Sequence, residues 1–360
     1  MLAAFRPQAA PVTPSVERVA ARVLRALPDP WVAWLAGLAG GPATIRGRTL
    51  DPRLELAARA AAGRPAMHTL LPAEARASAN ASIALAAGAT RLLERLESHR
   101  VPGADGPLDA RLHVPPGLDG PRPLILWLHQ GGCVIGNLDW CESFCSVLAS
   151  GARAPVLAVA YRKGPEHRFP AAQEDAWAVY RWACQHAGEI GGDPARIGVG
   201  GDSAGGGLAA MVAQRAVREN APRPAFQLLV YPWLLAFADN DAYRDFGACY
   251  PLDVPSMDWF LTHYLNDDSE RDDVRMSPGL ATDLFGLAPA LVYTAGFDLL
   301  CDEGEDYARR LESAGVPVVF RCYESLTHSF TSLGGLAPAA LHAQQEIARD
   351  VDLLLSKGTS

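Results

Sequence analysis

From about residue 108 the apolar positions fall into short runs: PLILWLH (123–129), PVLAVAY (155–161), RIGVGG (196–201), FQLLVY (226–231), PALVYTAG (289–296) and VPVVFRCY (316–323). Each reads as a strand. Stretches with helical spacing separate most of them, at 138–151, 171–187, 204–219 and 302–314, and a last one lies near 340–355. Strands alternating with helices predict an α/β fold, a mainly parallel sheet with helices on both faces. Right-handed crossovers then place the loops that follow the strands along one edge.

Two regions break this rhythm. The first hundred residues read as helical, with alanine-rich amphipathic stretches such as SVERVAARVLRAL (15–27). The interval from Tyr231 to Pro289 is too long for a simple crossover and holds another helix-like piece, PSMDWFLTHYL (255–265). A long excursion at that point predicts a lid or cap rather than a structureless loop.

Bulk properties narrow the function. The chain has 360 residues, 49% of them hydrophobic, enough for one large domain or a core plus a cap. A net charge of −8 argues against a nucleic-acid partner, which needs a basic face. Lysine occurs only at Lys163 and Lys357, neither in an S-x-x-K motif, which argues against a serine–lysine hydrolase. The seven cysteines lack paired spacing. Cys141 and Cys145 fall among Trp140, Phe144 and Leu148 as on the buried face of a helix, so they read as core residues and no metal site is expected. The start, MLAAFRPQAAPVTP, has no run of signal-peptide length, and WVAWLAGLAGG is too short to span a bilayer. A cytoplasmic protein without stable membrane insertion is expected.

The chemistry turns on one glycine-rich corner, IGVGGDSAGGGLAA (197–210). A dinucleotide fingerprint fails there, because counting from Gly198 the sixth position is Ser203 instead of glycine. Two readings remain at this point. Gly201-Asp202-Ser203-Ala204-Gly205 fits a G-x-S-x-G nucleophile elbow, and a plain β-to-α turn with an N-cap serine fits as well. The rest of the chain discriminates between them. A nucleophilic serine needs a base and an orienting acid, which in this kind of sheet follow in the order serine, acid, histidine. His263 and His342 sit in helical stretches, whereas His328 follows the last strand in SLTHSF. In FDLLCDEGEDYARR, Asp302 and Glu305 have the spacing of a capping pair, and Glu303 and Asp306 suit a helix's first turn. Asp298 stands immediately beyond the strand and is the expected acid. Upstream, PLILWLH runs into Gln130-Gly131-Gly132-Cys133, where the backbone N–H groups of Gly131 and Gly132, joined by that of Ala204, are the expected oxyanion hole. Gln130, Cys133 and Asp202 are the candidates for lining the substrate pocket.

Five ordered motifs over roughly residues 50–355 resemble the hormone-sensitive-lipase-like esterases, a branch of the α/β-hydrolases. His129-Gln130-Gly131-Gly132 resembles their HGGG, and GDSAGG (201–206) their serine motif. YRKGPEHRFPAA (161–172) is similar to their YRLAPEHPFPAA, while FDLLCDEGEDYA and THSF sit where they carry the aspartate motif and H-G-F. The resemblance implies an α/β-hydrolase fold with an eight-stranded sheet and a helical cap. It also implies hydrolysis of small carboxylic esters with short or medium acyl chains, and no cofactor. The implied division is 1–95 for an N-terminal helical extension and first part of the cap, 96–231 for core, 232–278 for the second part of the cap and 279–360 for core. Residues 1–45 precede the family's usual start, with packing on the cap or a homodimer contact as their two uses. Gln130 and Ser329 each replace a glycine of the family pattern, Cys133 stands where an aromatic residue is common, and Glu166 and His167 read as structural. An amidase with the same triad is the alternative, and a binding module on this fold would be expected to lack a triad member.

Overall fold

The computed structural model describes residues 19–357 apart from 20, 22 and 121. The motif-free start, residues 1–14, lies outside them, as do 15–18, 20 and 22 of the helix expected over 15–27; residues 19, 21 and 23–26 are helical. The main sheet has eight strands: β3 (Arg95–Gly103), β4 (Gly106–Val114), β5 (Arg122–Leu128), β6 (Val156–Val159), β7 (Gly192–Asp202), β8 (Gln227–Val230), β9 (Ala290–Phe297) and β10 (Val318–Thr327). A separate two-stranded hairpin, β1 (Thr44–Ile45) and β2 (Arg48–Thr49), precedes them. The spatial order is β10-β9-β8-β7-β5-β6-β4-β3, with every pairing parallel except those that β4 makes with β3 and β6.

The central strands are buried on both faces, which is why they read as continuous apolar runs: Leu124 to Leu128 and all of β8 and β9 are buried. Helices Leu138–Ala152, Ala171–His186, Ala204–Arg218, Cys301–Ser313 and Pro338–Lys357 cover the sheet, within a residue or two of the expected spans. The first hundred residues depart from the helical expectation. The hairpin and β3 interrupt it, and β3 with β4 completes the sheet at its antiparallel edge.

The order in which strands are added reverses at β5, which has β6 on one side and β7 on the other, both parallel to it. Ligands of open α/β sheets bind at the carboxyl ends of strands beside such a switch point. Over this edge lies the excursion after β8, with helices Asp241–Phe246 and Val254–Tyr264. It meets the N-terminal region where the Trp259 indole N–H donates to the Leu70 carbonyl at 3.1 Å. The chain enters the excursion through Glu303, whose buried carboxylate accepts the Leu234 and Leu235 N–H groups. Burial holds the Glu303 carboxyl well above its ordinary pKa. Among the described residues no helix is long and apolar enough to cross a membrane.

Candidate active site

Four strands each end one residue before a residue singled out in the sequence: β5 before His129, β7 before Ser203, β9 before Asp298 and β10 before His328. Ser203 holds φ 54° and ψ −121°, a conformation unfavourable for an L-residue, at the corner between β7 and the helix Ala204–Arg218. Its glycine neighbours are fixed by space. A Cβ on Gly201 would lie 2.3 Å from the Gly205 carbonyl, and one on Gly205 would lie 1.9 Å from the Leu128 oxygen. The serine caps no backbone N–H of the helix. Its Oγ instead lies 2.9 Å from Nε2 of His328, to which the hydroxyl donates when Nδ1 carries the imidazole proton.

On the other side of the imidazole, Nδ1 of His328 lies 2.7 Å from Oδ2 of Asp298. Oδ1 of Asp298 accepts the Leu300 N–H at 3.0 Å, which fixes the carboxylate plane. Ser203, His328 and Asp298 keep only 7%, 5% and 2% of their surface exposed, so the chain of contacts sits in a low-dielectric setting. His263 and His342 lie elsewhere, His263 stacked edge-on against Trp259 and His342 beside Glu346. The acidic run after β9 departs from expectation in two respects, the first being that Asp306 lies beyond the first turn of the helix, which holds Glu303. The helix begins at Cys301, so Asp302 falls inside its first turn and does not cap it. Its carboxylate instead pairs with Arg46 at 2.8 Å and accepts the Ala242 N–H.

The loop after β5 is rigidly held. His129 Nδ1 lies 2.7 Å from the Gln130 carbonyl, its ring stacks on Tyr161, and the Tyr161 hydroxyl donates to the His129 carbonyl. Burial, helped by the Lys163 charge, takes the His129 pKa down to about 3, so the ring is neutral. Gly131 at φ 128° faces the Ile135 carbonyl, where a Cβ would sit 2.2 Å from the oxygen. Gly132 at φ 58° lies under the Phe260 ring, 2.3 Å from where its Cβ would be. The N–H groups of Gly131, Gly132 and Ala204 donate to no other group among the described residues. Cys133 is buried, and burial pushes its thiol up to about 12.

The pocket candidates Gln130 and Asp202 both direct their polar groups to the segment after His328. Asp202 Oδ2 accepts from the Thr331 hydroxyl at 2.7 Å and from the Tyr231 hydroxyl at 3.1 Å. Gln130 Nε2 donates to Ser332 Oγ at 2.7 Å, and Ser329 Oγ donates to Gln130 Oε1 at 2.6 Å. Tyr231, Thr331 and Ser332 were not singled out in the sequence; their hydroxyls lie within or beside motifs already noted. Glu166 takes the structural part expected of it, forming a two-pronged pair with Arg76. The Arg76 guanidinium also donates to the carbonyls of Val134 and Gly164, bracing the loop after β5. A cavity of about 410 Å³ lies beside this brace, lined by Arg76, Asn80, Lys163 and Glu166 among others and by no triad residue.

A mainly parallel sheet whose strand order reverses at β5, with a serine corner beside the reversal and an acid and a histidine at later strand ends, defines a class. The chain belongs to the α/β-hydrolase fold family, to which residues 125–332 match, and within it to the hormone-sensitive-lipase-like carboxylesterases. It is a carboxylic ester hydrolase. It is 38% identical over 354 residues to the carboxylic ester hydrolase LipN of Mycobacterium tuberculosis, covering 95% of this chain and 93% of that protein. It is 37% identical to an ethyl acetate hydrolase of Pseudomonas putida, covering 76% and 87%. Among solved structures, an ester hydrolase from the metagenome of Lake Arreo, in complex with a phosphonate, superposes with a TM-score of 0.82 at 35% identity, covering 87% and 100%. A thermostable esterase from Pseudomonas putida superposes with a TM-score of 0.81 at 30% identity, covering 85% and 98%.

Proposed function

We propose that Ser203, His328 and Asp298 are the catalytic triad of an esterase acting on short- to medium-chain carboxylic esters. Ser203 Oγ attacks the ester carbonyl as Nε2 of His328 takes its proton, and Asp298 holds the Nδ1–H and faces the imidazolium that forms. The carbonyl oxygen becomes an oxyanion and is received by the N–H groups of Gly131, Gly132 and Ala204. Collapse of the tetrahedral intermediate expels the alcohol, protonated by His328. Water, deprotonated by the same imidazole, then releases the carboxylic acid from the acyl-enzyme.

The observation that carries this reading is the unbroken contact from Ser203 through His328 to Asp298, at 2.9 and 2.7 Å, on a serine held at positive φ. Support for small substrates comes from the roof over the edge. Helix Val254–Tyr264 and the N-terminal segments form the cap, with Phe260 lying on the oxyanion loop. The ethyl acetate hydrolase among the relatives agrees with that scale. Ser203→Ala is expected to lower turnover of an activated short-chain ester on the order of a million-fold while the protein stays folded. It should also abolish labelling by a fluorophosphonate. A folded variant that keeps a tenth of the wild-type rate would overturn the assignment.

A further inference from the structure

We infer that Gln130 is a positioning residue that sets the oxyanion loop against the catalytic histidine, acting jointly with Ser329; this rests on the triad proposed above. Gln130 immediately precedes Gly131 and Gly132, and Ser329 immediately follows His328. The two side chains are 199 positions apart in sequence yet 2.6 Å apart in space. The amide spans the gap between the loops and uses both ends. Oε1 accepts from Ser329, and Nε2 donates to Ser332, whose hydroxyl in turn donates to the Trp140 carbonyl at 3.3 Å. Gln130 and Ser332 are buried and Ser329 is half-buried, so the bond to Ser332 is shielded from water and the bond to Ser329 partly so.

Ser329 makes the coupling two-sided. It sits at φ 65° and ψ 19°, a left-handed conformation in which glycine costs nothing and serine does. Its hydroxyl bond to Gln130 is what this conformation provides in return. Thr331, two residues on, is tied to Asp202 beside the nucleophile. The turn after His328 is therefore held from one side by the residue before the oxyanion glycines and from the other by the residue before Ser203. A shift of the Gln130 side would move the donors relative to the imidazole without touching either directly. Such misplacement lowers turnover more than binding.

The experiment is a double-mutant cycle on a short-chain ester with Gln130→Gly, Ser329→Gly and the double variant. Each single is expected to lower kcat about tenfold with KM within about twofold, because Ser329→Gly leaves the buried Gln130 Oε1 unpaired and Gln130→Gly releases both the Ser329 and the Ser332 hydroxyls. The double, which removes both partners at once, is expected to lose no more than either single. Ser332→Ala, which breaks one arm without altering either loop backbone, should lower kcat several-fold with KM unchanged and keeps the proposal testable if a glycine variant does not fold. Singles that leave kcat unchanged, losses that multiply in the double, or losses confined to KM would each overturn the proposal. Ser203→Ala run alongside separates the two readings. If it is inactive and the cycle multiplies, the triad stands and only the positioning role falls. If it stays active, the triad itself is wrong.

Discussion

Asp202 and Ser203 are neighbours held at opposite costs, one electrostatic and one conformational. Ser203 is strained at positive φ by the glycines that let strand and helix pass. Asp202 is buried, and burial raises its carboxyl to about 6 against the bonds from Thr331 and Tyr231 and the attraction of His328. A folded-state pKa above the unfolded one means that the folded protein keeps a proton the unfolded chain has lost between about pH 4 and pH 6. Stability from this group therefore falls as pH rises through that window, and the full cost, up to about 3 kcal/mol, persists above it. Asp202→Asn cannot ionise and keeps an acceptor for both hydroxyls. Its new NH₂ would take the place of Oδ1, which has no partner, so about 1–3 kcal/mol is lost again. The expected outcome is thus a change of slope. Thermal melts at pH 4, 6 and 8 should show the variant gaining on the wild type as pH rises, and a constant difference would show that Asp202 does not titrate in this range.

Elements carry the candidate site because three strands, β7, β9 and β10, each end one residue before a member of the proposed triad. Ser203 and Asp298 stand two residues beyond the expected runs 196–201 and 289–296 and His328 five beyond 316–323, so the strand pattern together with the G-x-S-x-G spacing and the serine, acid, histidine order made this edge legible. The antiparallel edge was not legible. β3 reads RLESHRVPG, alternately half-buried and exposed, with few apolar residues to mark it. Its turn to β4 is only Ala104 and Asp105, closed by the Gly103–Gly106 pair. Asp302 was misread because its partner Arg46 is 256 positions away, and Gln130's partners are likewise remote. Spacing along a chain reports neighbours on one element and is silent about contacts between loops. The glycines are a different matter, since their spacing encodes a close approach that can be tested. Gly205→Ala places a Cβ 1.9 Å from the Leu128 oxygen, and neither backbone can yield without parting helix from sheet. It is expected to destabilise by at least about 3 kcal/mol, at the upper end of core overpacking. Gly188→Ala, whose Cβ meets nothing within 4 Å, should leave the melting temperature nearly unchanged. Equal melting temperatures for the two variants would mean that the strand and helix are less tightly apposed than described.

In the molecule as a whole, the sheet edge carries the proposed triad, and the excursion after β8 and the N-terminal region meet above it. Phe260 joins the two, since it belongs to helix Val254–Tyr264 and its ring lies on Gly132 of the loop proposed to receive the oxyanion. Trp259 beside it holds the N-terminal segment through Leu70, so the proposed roof joins the region before the core to the excursion that interrupts it after β8. On the proposed reading the acyl chain lies under this ring, in a space of limited length. Each methylene that fits should add about 0.8 kcal/mol, roughly fourfold in kcat/KM, until the chamber is full and strain reverses the gain. The optimum for the wild type is expected at about two to eight acyl carbons on that reasoning. Phe260→Ala removes the ring from the loop and lengthens the chamber without altering a backbone donor. The optimum should move toward longer chains by about two to four carbons, with kcat on the shortest esters reduced less than tenfold. The measurement is kcat/KM for a series of p-nitrophenyl esters of graded acyl length, with a melting curve for each protein. A variant that melts lower but keeps the wild-type optimum would place Phe260 in the packing of the roof and outside the path of the acyl chain.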